Sequence, residues 1–214
     1  MDRDTIRIYD ERASDFARDW EDGQPPPDDL HAALGQYFRK GPTADIGCGS
    51  GRDTAWLAAN GFDALGVDAS EGLLAEARRR HPGVRFEADT LPELARLEAG
   101  AFANVLCETV IMHLAPDTVA DAVRRLAALL APGGTLYLSW RVTEGGDARD
   151  AAGRLYAAFD TGTVLDALAD TGILLDERIV SASSGRVVHR LIARRTPPCV
   201  SMSGKRNTGK NTTA

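Results

Sequence analysis

The sequence predicts an α/β fold, a doubly wound sheet of parallel strands finished at one edge by an antiparallel hairpin. Three observations predict it. From Pro42 onward, short apolar runs alternate with segments of helical periodicity. Repeats of strand, helix and strand require right-handed crossovers into a parallel sheet covered on both faces. Near the C-terminus the alternation stops: the runs ILLDERIVSA and RVVHRLIARR are separated only by Ser183, Ser184 and Gly185, which is hairpin spacing. The 214 residues, 43% of them hydrophobic, suffice for one such domain with a sizeable core.

The elements follow in order. Residues 4–20 read as one amphipathic helix, because Ile6, Tyr9, Ala13, Phe16, Ala17 and Trp20 recur at spacings of 3 and 4 on one face. EDGQPPPDD breaks it, since Gly23 and the prolines Pro25, Pro26 and Pro27 do not continue a helix. A second helix is expected from Asp28 to Arg39, capped by Asp28 or Asp29. TADIG, FDALGVD, VRFEAD, FANVLCE and TLYLSW read as the five parallel strands. Between them, helices are expected over RDTAWLAANG, over SEGLLAEARRRH with Ser70 as cap, over LPELARLEAG and over PDTVADAVRRLAALLAPGG. GTVLDALADTG reads as a last helix before the hairpin. The segment from Thr196 to Ala214 lacks periodicity and is expected to be disordered. The chain thus divides into N-terminal helices over 1–40, a core over 41–195 and a tail over 196–214.

Composition narrows the function. A net charge of −6 argues against a nucleic-acid-binding surface as the main feature. Cys48, Cys107 and Cys199 form no C-x-x-C pair and, being odd in number, make a poor disulfide framework, so a reducing cytoplasm is expected. The charged N-terminus has no signal-peptide core, and no apolar run is long enough to span a membrane. No His, Cys and carboxylate cluster has metal-ligand spacing, so no metal is expected. GKRNTGKN in the tail imitates a phosphate-binding loop, but it has Asn211 where Ser or Thr is required and neither strand nor helix around it.

The chemistry gathers at strand ends. The first strand runs into Asp45-Ile46-Gly47-Cys48-Gly49-Ser50-Gly51 just before a helix. Glycines there permit a tight turn and let a ligand approach bare backbone, while the helix N-terminus offers free N–H groups. Asp68 ends the next strand, 21 residues after Gly47, where an acid accepts hydrogen bonds from a ribose diol. Glu87-Ala88-Asp89-Thr90 ends the third strand and Cys107-Glu108-Thr109 the fourth. The spacing is G-x-G-x-G, not the G-x-G-x-x-G of dinucleotide sites. Asp45, ahead of it, would repel a pyrophosphate but suits an ammonium-bearing ligand.

These residues carry a resemblance. DIGCGSGRD, GVDAS, EADT, ETVIMHL and APGGTLYLSW resemble the successive motifs of the class I S-adenosylmethionine-dependent methyltransferases, from about Tyr9 to Arg195. The resemblance implies a Rossmann-like seven-stranded sheet of order 3-2-1-4-5-7-6 with strand 7 antiparallel. It implies S-adenosylmethionine as cofactor and S-adenosylhomocysteine as product; a small-molecule acceptor is expected because only the N-terminal helices and the segment after the fifth strand are available to cover the pocket, and charge and hydropathy point to no nucleic-acid or membrane partner. Gly47, Cys48 and Gly49 would line the methionine part, with Asp45 orienting its polar end and Arg52 near its carboxylate. Asp68 would hold the ribose, Ala69 would lie beside the adenine, and Asp89 and Thr90 would meet its edge. Glu108 would sit between cofactor and acceptor.

Methyl transfer from a sulfonium needs orientation first, and a base only when the acceptor must lose a proton. His113 is a candidate base, or a histidine closing the pocket edge. Trp140 and Arg141, leaving the fifth strand, are candidate acceptor residues or rim packing. Tyr9, Arg12 and Phe16 of the first helix are candidates for a lid, or for a helix packed permanently on the sheet. Alternatives to a small acceptor are a protein acceptor, or a non-catalytic binder of the cofactor. A nicotinamide-dependent oxidoreductase is disfavoured by the glycine spacing.

Overall fold

The computed structural model describes residues 1–143 and 145–197. The chain runs through α1 (Arg3–Glu11), α2 (Ala13–Arg18), α3 (Asp28–Tyr37), β1 (Pro42–Ile46), α4 (Arg52–Ala59), β2 (Asp63–Asp68), α5 (Glu71–Arg80), β3 (Arg85–Ala88), β4 (Phe102–Cys107), α6 (Val119–Leu129), β5 (Leu130–Arg141), α7 (Thr161–Ala167), β6 (Thr171–Val180) and β7 (Val187–Arg195). A two-residue ladder, Ala148–Arg149 against Leu155–Tyr156, lies between β5 and α7. The sheet order is β3-β2-β1-β4-β5-β7-β6. All pairs from β3 to β5 are parallel, and β7 runs antiparallel to both β5 and β6. The parallel core and the terminal hairpin are therefore as expected. The expected tail falls mostly outside the described residues, and the loop-like GKRNTGKN segment and Cys199 lie wholly outside them.

Side-chain alternation explains why helices cover both faces. On β4, Val105 and Cys107 point into one cluster with Val123, Leu126 and Leu130, while Leu106 points into the other. On β5, Leu136 and Leu138 join the first cluster, and Tyr137 joins Leu34, Leu57 and Phe62 in the second. Each strand is thus apolar on both sides, as a doubly covered sheet demands. Among the described residues, no helix is long and apolar enough to cross a membrane.

Several expectations need correction: Pro27, not Asp28 or Asp29, stands at the cap position of α3, with no side-chain cap, and β5 begins at Leu130, inside the segment expected to be helical. The first helix is two helices, broken at Arg12, where the backbone leaves helical geometry. Tertiary contacts on α5 hold both pieces: the Asp10 carboxylate accepts the Ser70 hydroxyl at 2.6 Å and the Gly72 N–H at 3.0 Å, and Ser14 donates to Glu76 at 3.0 Å. LPELARLEAG is not helical but a series of turns. Its backbone groups are claimed from outside: Asp89 accepts the Arg96 N–H at 2.8 Å, and Arg125 donates to the Glu93 and Leu94 carbonyls, both at 2.8 Å. Leu91, Leu94 and Leu97 still bury themselves in the core. Periodicity reported the burial, and the polar partners chose the backbone.

Candidate active site

β1 pairs with β2 on one side and β4 on the other, so crossovers leave in opposite directions at the carboxyl ends of β1 and β4. Such a switch point opens a crevice. A cavity of about 390 Å³ lies there, closed over by α1 and α2. Ile6, Tyr9, Phe16 and Trp20 line it, whereas Thr5, Ile8, Ala13 and Ala17 are buried against the body. The aromatic stripe therefore faces a void rather than the core. Its rings are in mutual contact: Tyr9 meets Phe16 edge-on at 5.0 Å and Phe16 stacks on Trp20 at 5.4 Å.

The floor is the glycine turn. Gly47, Gly49 and Gly51 have φ of 76°, 56° and 89°, the left-handed region that side chains disfavour. A Cβ on Gly47 would stand 2.3 Å from a Val110 methyl, and one on Gly49 would stand 2.9 Å from the Trp20 ring. Asp68 stiffens the turn, one carboxylate oxygen accepting the Gly49 N–H and the other the Ser70 N–H, each at 2.8 Å. Burial raises the Asp68 pKa. Asp45 is buried under the same turn and accepts the Thr54 hydroxyl at 2.6 Å. Burial, reinforced by the charge of Asp53, pushes its pKa up to about 8. Burial favours raising Asp53 also, but hydrogen bonds from His31 at 3.0 Å and Arg52 at 2.9 Å outweigh it and hold Asp53 low. His31 is thus no solvated surface group: it pairs with Asp53 and stacks on Trp56 at 4.2 Å.

The far wall comes from the segments after β4 and β5. Burial pushes Glu108 up to about 7, against a hydrogen bond from Ser139. His113 is buried, and its Nδ1–H donates to the Leu155 carbonyl, leaving Nε2 to accept the Tyr9 hydroxyl at 3.1 Å. Burial lowers its pKa to about 4, so it is a neutral imidazole near pH 7. Arg154 donates to the Tyr9 oxygen at 3.2 Å, lies 4.9 Å from the Phe16 ring centre, and pairs with Asp150 at 2.7 Å. Arg141 lies 4.7 Å over the Tyr156 ring.

The cavity brings together Asp45, Gly47, Cys48, Gly49, Arg52, Asp68, Ala69, Asp89, Thr90, Glu108, His113, Arg141, Tyr9 and Phe16. It does not bring in Arg12 or Trp140. Arg12 is exposed, facing Asp15, because the break beside it turns its side chain outward. Trp140 is buried on the other side of β5, stacked on His189 at 4.4 Å, because strand alternation sends it away from Arg141. Sequence reasoning left out Trp20, Arg154 and Tyr156. The signal for the last two was the spacing in Arg154-Leu155-Tyr156, which puts both on one side of an extended segment.

Comparison with known proteins agrees with this geometry. A family model described as a methyltransferase domain matches residues 44–134, from within β1 to the first part of β5. A ubiquinone biosynthesis O-methyltransferase of Methylococcus capsulatus is 35% identical over 154 residues, 65% of this chain and 64% of that protein. A trans-aconitate 2-methyltransferase of Methylobacterium nodulans is 43% identical over 94 residues, 43% of this chain and 35% of that protein. The chain therefore spans about two thirds of the length of the first of these relatives and about a third of the second. The crystal structure of Burkholderia thailandensis 1,6-didemethyltoxoflavin-N1-methyltransferase, with its acceptor and S-adenosylhomocysteine bound, superposes with a TM-score of 0.61 and 26% identity, covering 86% of this chain and 87% of that one. Sheet order, glycine turn, acidic strand ends and relatives coincide in one conclusion: residues 44–134 form a methyltransferase domain, and the chain has the sheet order and the glycine turn of the class I S-adenosylmethionine-dependent methyltransferases.

Proposed function

We propose that the protein transfers the methyl group of S-adenosylmethionine to a small-molecule acceptor by in-line displacement at the sulfonium methyl. The observation that carries this reading is the bare glycine turn between Asp45 and Asp68, opening into a covered cavity whose far wall is aromatic and basic. A cavity of this size suits a cofactor and a small acceptor, and no separate recognition domain is present among the described residues. The relatives point the same way, since they act by name on trans-aconitate, in ubiquinone biosynthesis and on 1,6-didemethyltoxoflavin.

When bound, the cofactor supplies a methyl group already activated on sulfur. The chain's own part is to hold, orient and exclude water. Gly47, Cys48 and Gly49 would take the methionine portion through their backbone. Asp45 would face the ammonium, Asp68 the ribose, Ala69 the adenine ring, and Asp89 with Thr90 its edge. Both Asp89 oxygens already accept backbone N–H groups, at 2.8 Å each, so it meets a ligand in a fixed orientation. Arg52 is committed to Asp53, which makes it a weak clamp for the cofactor carboxylate. Glu108 stands between the two halves of the site. His113 positions Tyr9 rather than acting as the base, because its only acceptor nitrogen already holds the Tyr9 hydroxyl.

Calorimetry tests the reading directly. S-adenosylmethionine and S-adenosylhomocysteine should bind and NAD should not; NAD binding without S-adenosylmethionine binding would overturn it. Release of S-adenosylhomocysteine in an acceptor screen distinguishes the enzyme from a non-catalytic binder.

A further inference from the structure

The arginines of the cavity fall into two kinds. Arg52 pairs with Asp53 at 2.9 Å and Arg154 with Asp150 at 2.7 Å. Arg141 is half-buried in the wall, and among the described residues its guanidinium has neither an ion-pair partner nor a hydrogen-bond acceptor. Its observed neighbour is the Tyr156 ring, 4.7 Å below. Arg186, at the mouth, likewise makes no ion pair with a described residue. The cavity's carboxylates lie elsewhere. Asp45, Asp53, Asp68 and Asp89 belong to the ends of β1 to β3 and the start of α4, Asp19 follows α2 and accepts the Gln24 amide at 3.1 Å, and Glu108 is bound by Ser139.

A guanidinium withdrawn from water without an anion is costly, and its planar fork matches a carboxylate in two parallel hydrogen bonds. The Tyr156 ring, 4.7 Å from the guanidinium carbon, supports that fork from one side. The adjoining surface of Tyr9, Phe16 and Tyr156 suits an apolar or unsaturated body. Resting on the methyltransferase reading above, we propose that the acceptor is a small carboxylic acid, anchored through its carboxylate by Arg141, with Arg186 drawing the anion to the mouth. Arg141 is a specificity-determining residue in this scheme. It leaves β5, separated from the glycine turn of β1 by β4, so its charge serves the acceptor and not the cofactor.

The test uses the full chain saturated with S-adenosylhomocysteine. Calorimetric titration compares matched acids and amides: succinate with succinamide, benzoate with benzamide, and 4-hydroxybenzoate with 4-hydroxybenzamide. At least one acid should bind about tenfold or more tightly than its amide, as expected for a charge-assisted hydrogen bond in a half-buried site. Arg141→Gln should bring acid and amide together while leaving S-adenosylhomocysteine affinity and melting temperature unchanged, and Arg141→Lys should retain part of the preference. Equal binding of acids and amides, or no binding by any of them, overturns the proposal. Weakened S-adenosylhomocysteine binding in both variants also overturns it, because Arg141 would then serve the cofactor. Failure of the parent protein to bind S-adenosylhomocysteine at all is a separate result, and it removes the methyltransferase reading itself.

Discussion

Asp68→Ala tests two roles of one side chain. The sequence suggests only a ligand contact, but the structure gives the carboxylate two backbone partners, Gly49 N–H and Ser70 N–H at 2.8 Å each. Removing it leaves both donors without that acceptor and leaves a bound ribose without its partner. An unpaired polar group in a partly buried site costs about 1–3 kcal/mol, so S-adenosylhomocysteine affinity should fall by roughly 5- to 150-fold. Loss of the two backbone bonds should also lower the stability of the apo chain by about 1–3 kcal/mol. Asp68→Asn keeps one acceptor oxygen and turns an N–H₂ group toward the other donor, so it should fall between parent and alanine. Calorimetry reads the affinity, denaturant unfolding reads the stability, and amide exchange at 47–51 reads the loosening of the turn. Affinity within about twofold of the parent in Asp68→Ala would refute the ribose contact. Unchanged stability and exchange would refute the strut.

Four further outcomes are expected. Gly47→Ala should abolish measurable cofactor binding, since its Cβ would meet Val110 at 2.3 Å in a φ of 76°; binding within tenfold of the parent would contradict the cradle. Asp45, raised to about 8, is largely protonated in the free protein at pH 7, and a bound ammonium should expel that proton; the binding enthalpy should then vary with buffer ionisation heat, and no dependence would refute the contact. His113, held down to about 4, refuses the proton that the unfolded chain accepts below its ordinary value near 6.5. Stability from this group is therefore lost between pH 6.5 and 4, by about 3 kcal/mol at most, and the stability gap between parent and His113→Asn should narrow over that range; a constant gap would be the wrong result. Hydrogen exchange over residues 3–18 should slow when S-adenosylhomocysteine is added, together with exchange over 148–156; full protection without ligand would make α1 and α2 fixed scaffold.

The sheet was legible because strand burial is written locally. Val105, Leu106 and Cys107 form a continuous apolar run buried on both sides of β4, as a doubly covered strand requires, and Ala44 with Ile46 and Leu65 with Val67 mark one buried face of β1 and β2. Turn chemistry was legible for the same reason, as Ser70 shows by capping α5 through the Leu73 N–H at 3.1 Å. What failed depended on partners distant in sequence. Arg125 takes carbonyls 28 to 32 residues away and cancels an expected helix. The Arg12 break answers to contacts at Ser70 and Gly72, which the spacing of the stripe does not register. In the site, strand-end acids could be named because their positions follow from topology. Trp140 and Arg141 are neighbours in sequence, yet alternation sends one to His189 and the other into the cavity, and only the register of β5 against β7 decides which.

That register matters less for the cover than three contacts made by α1. Asp2 pairs with Arg149 at 2.9 Å, the Thr5 hydroxyl accepts the Leu155 N–H at 2.9 Å, and the Tyr9 hydroxyl joins His113 to Arg154. All three reach the two-residue ladder after β5 or its immediate neighbours. The helix that covers the glycine turn and the segment that walls the acceptor end are one hydrogen-bonded unit. A flap hinged only at the prolines would have to break these contacts together, at about 1 kcal/mol or more for each. If α1 and α2 open to admit the cofactor, the opening would be cooperative and would also unmake the wall on which Arg154 and Tyr156 stand. Closure would restore both, so an acceptor held against Tyr9 and Tyr156 would act on the same equilibrium as a ligand beneath Trp20. The two ligands should therefore bind with positive coupling, each raising the affinity for the other by the same factor.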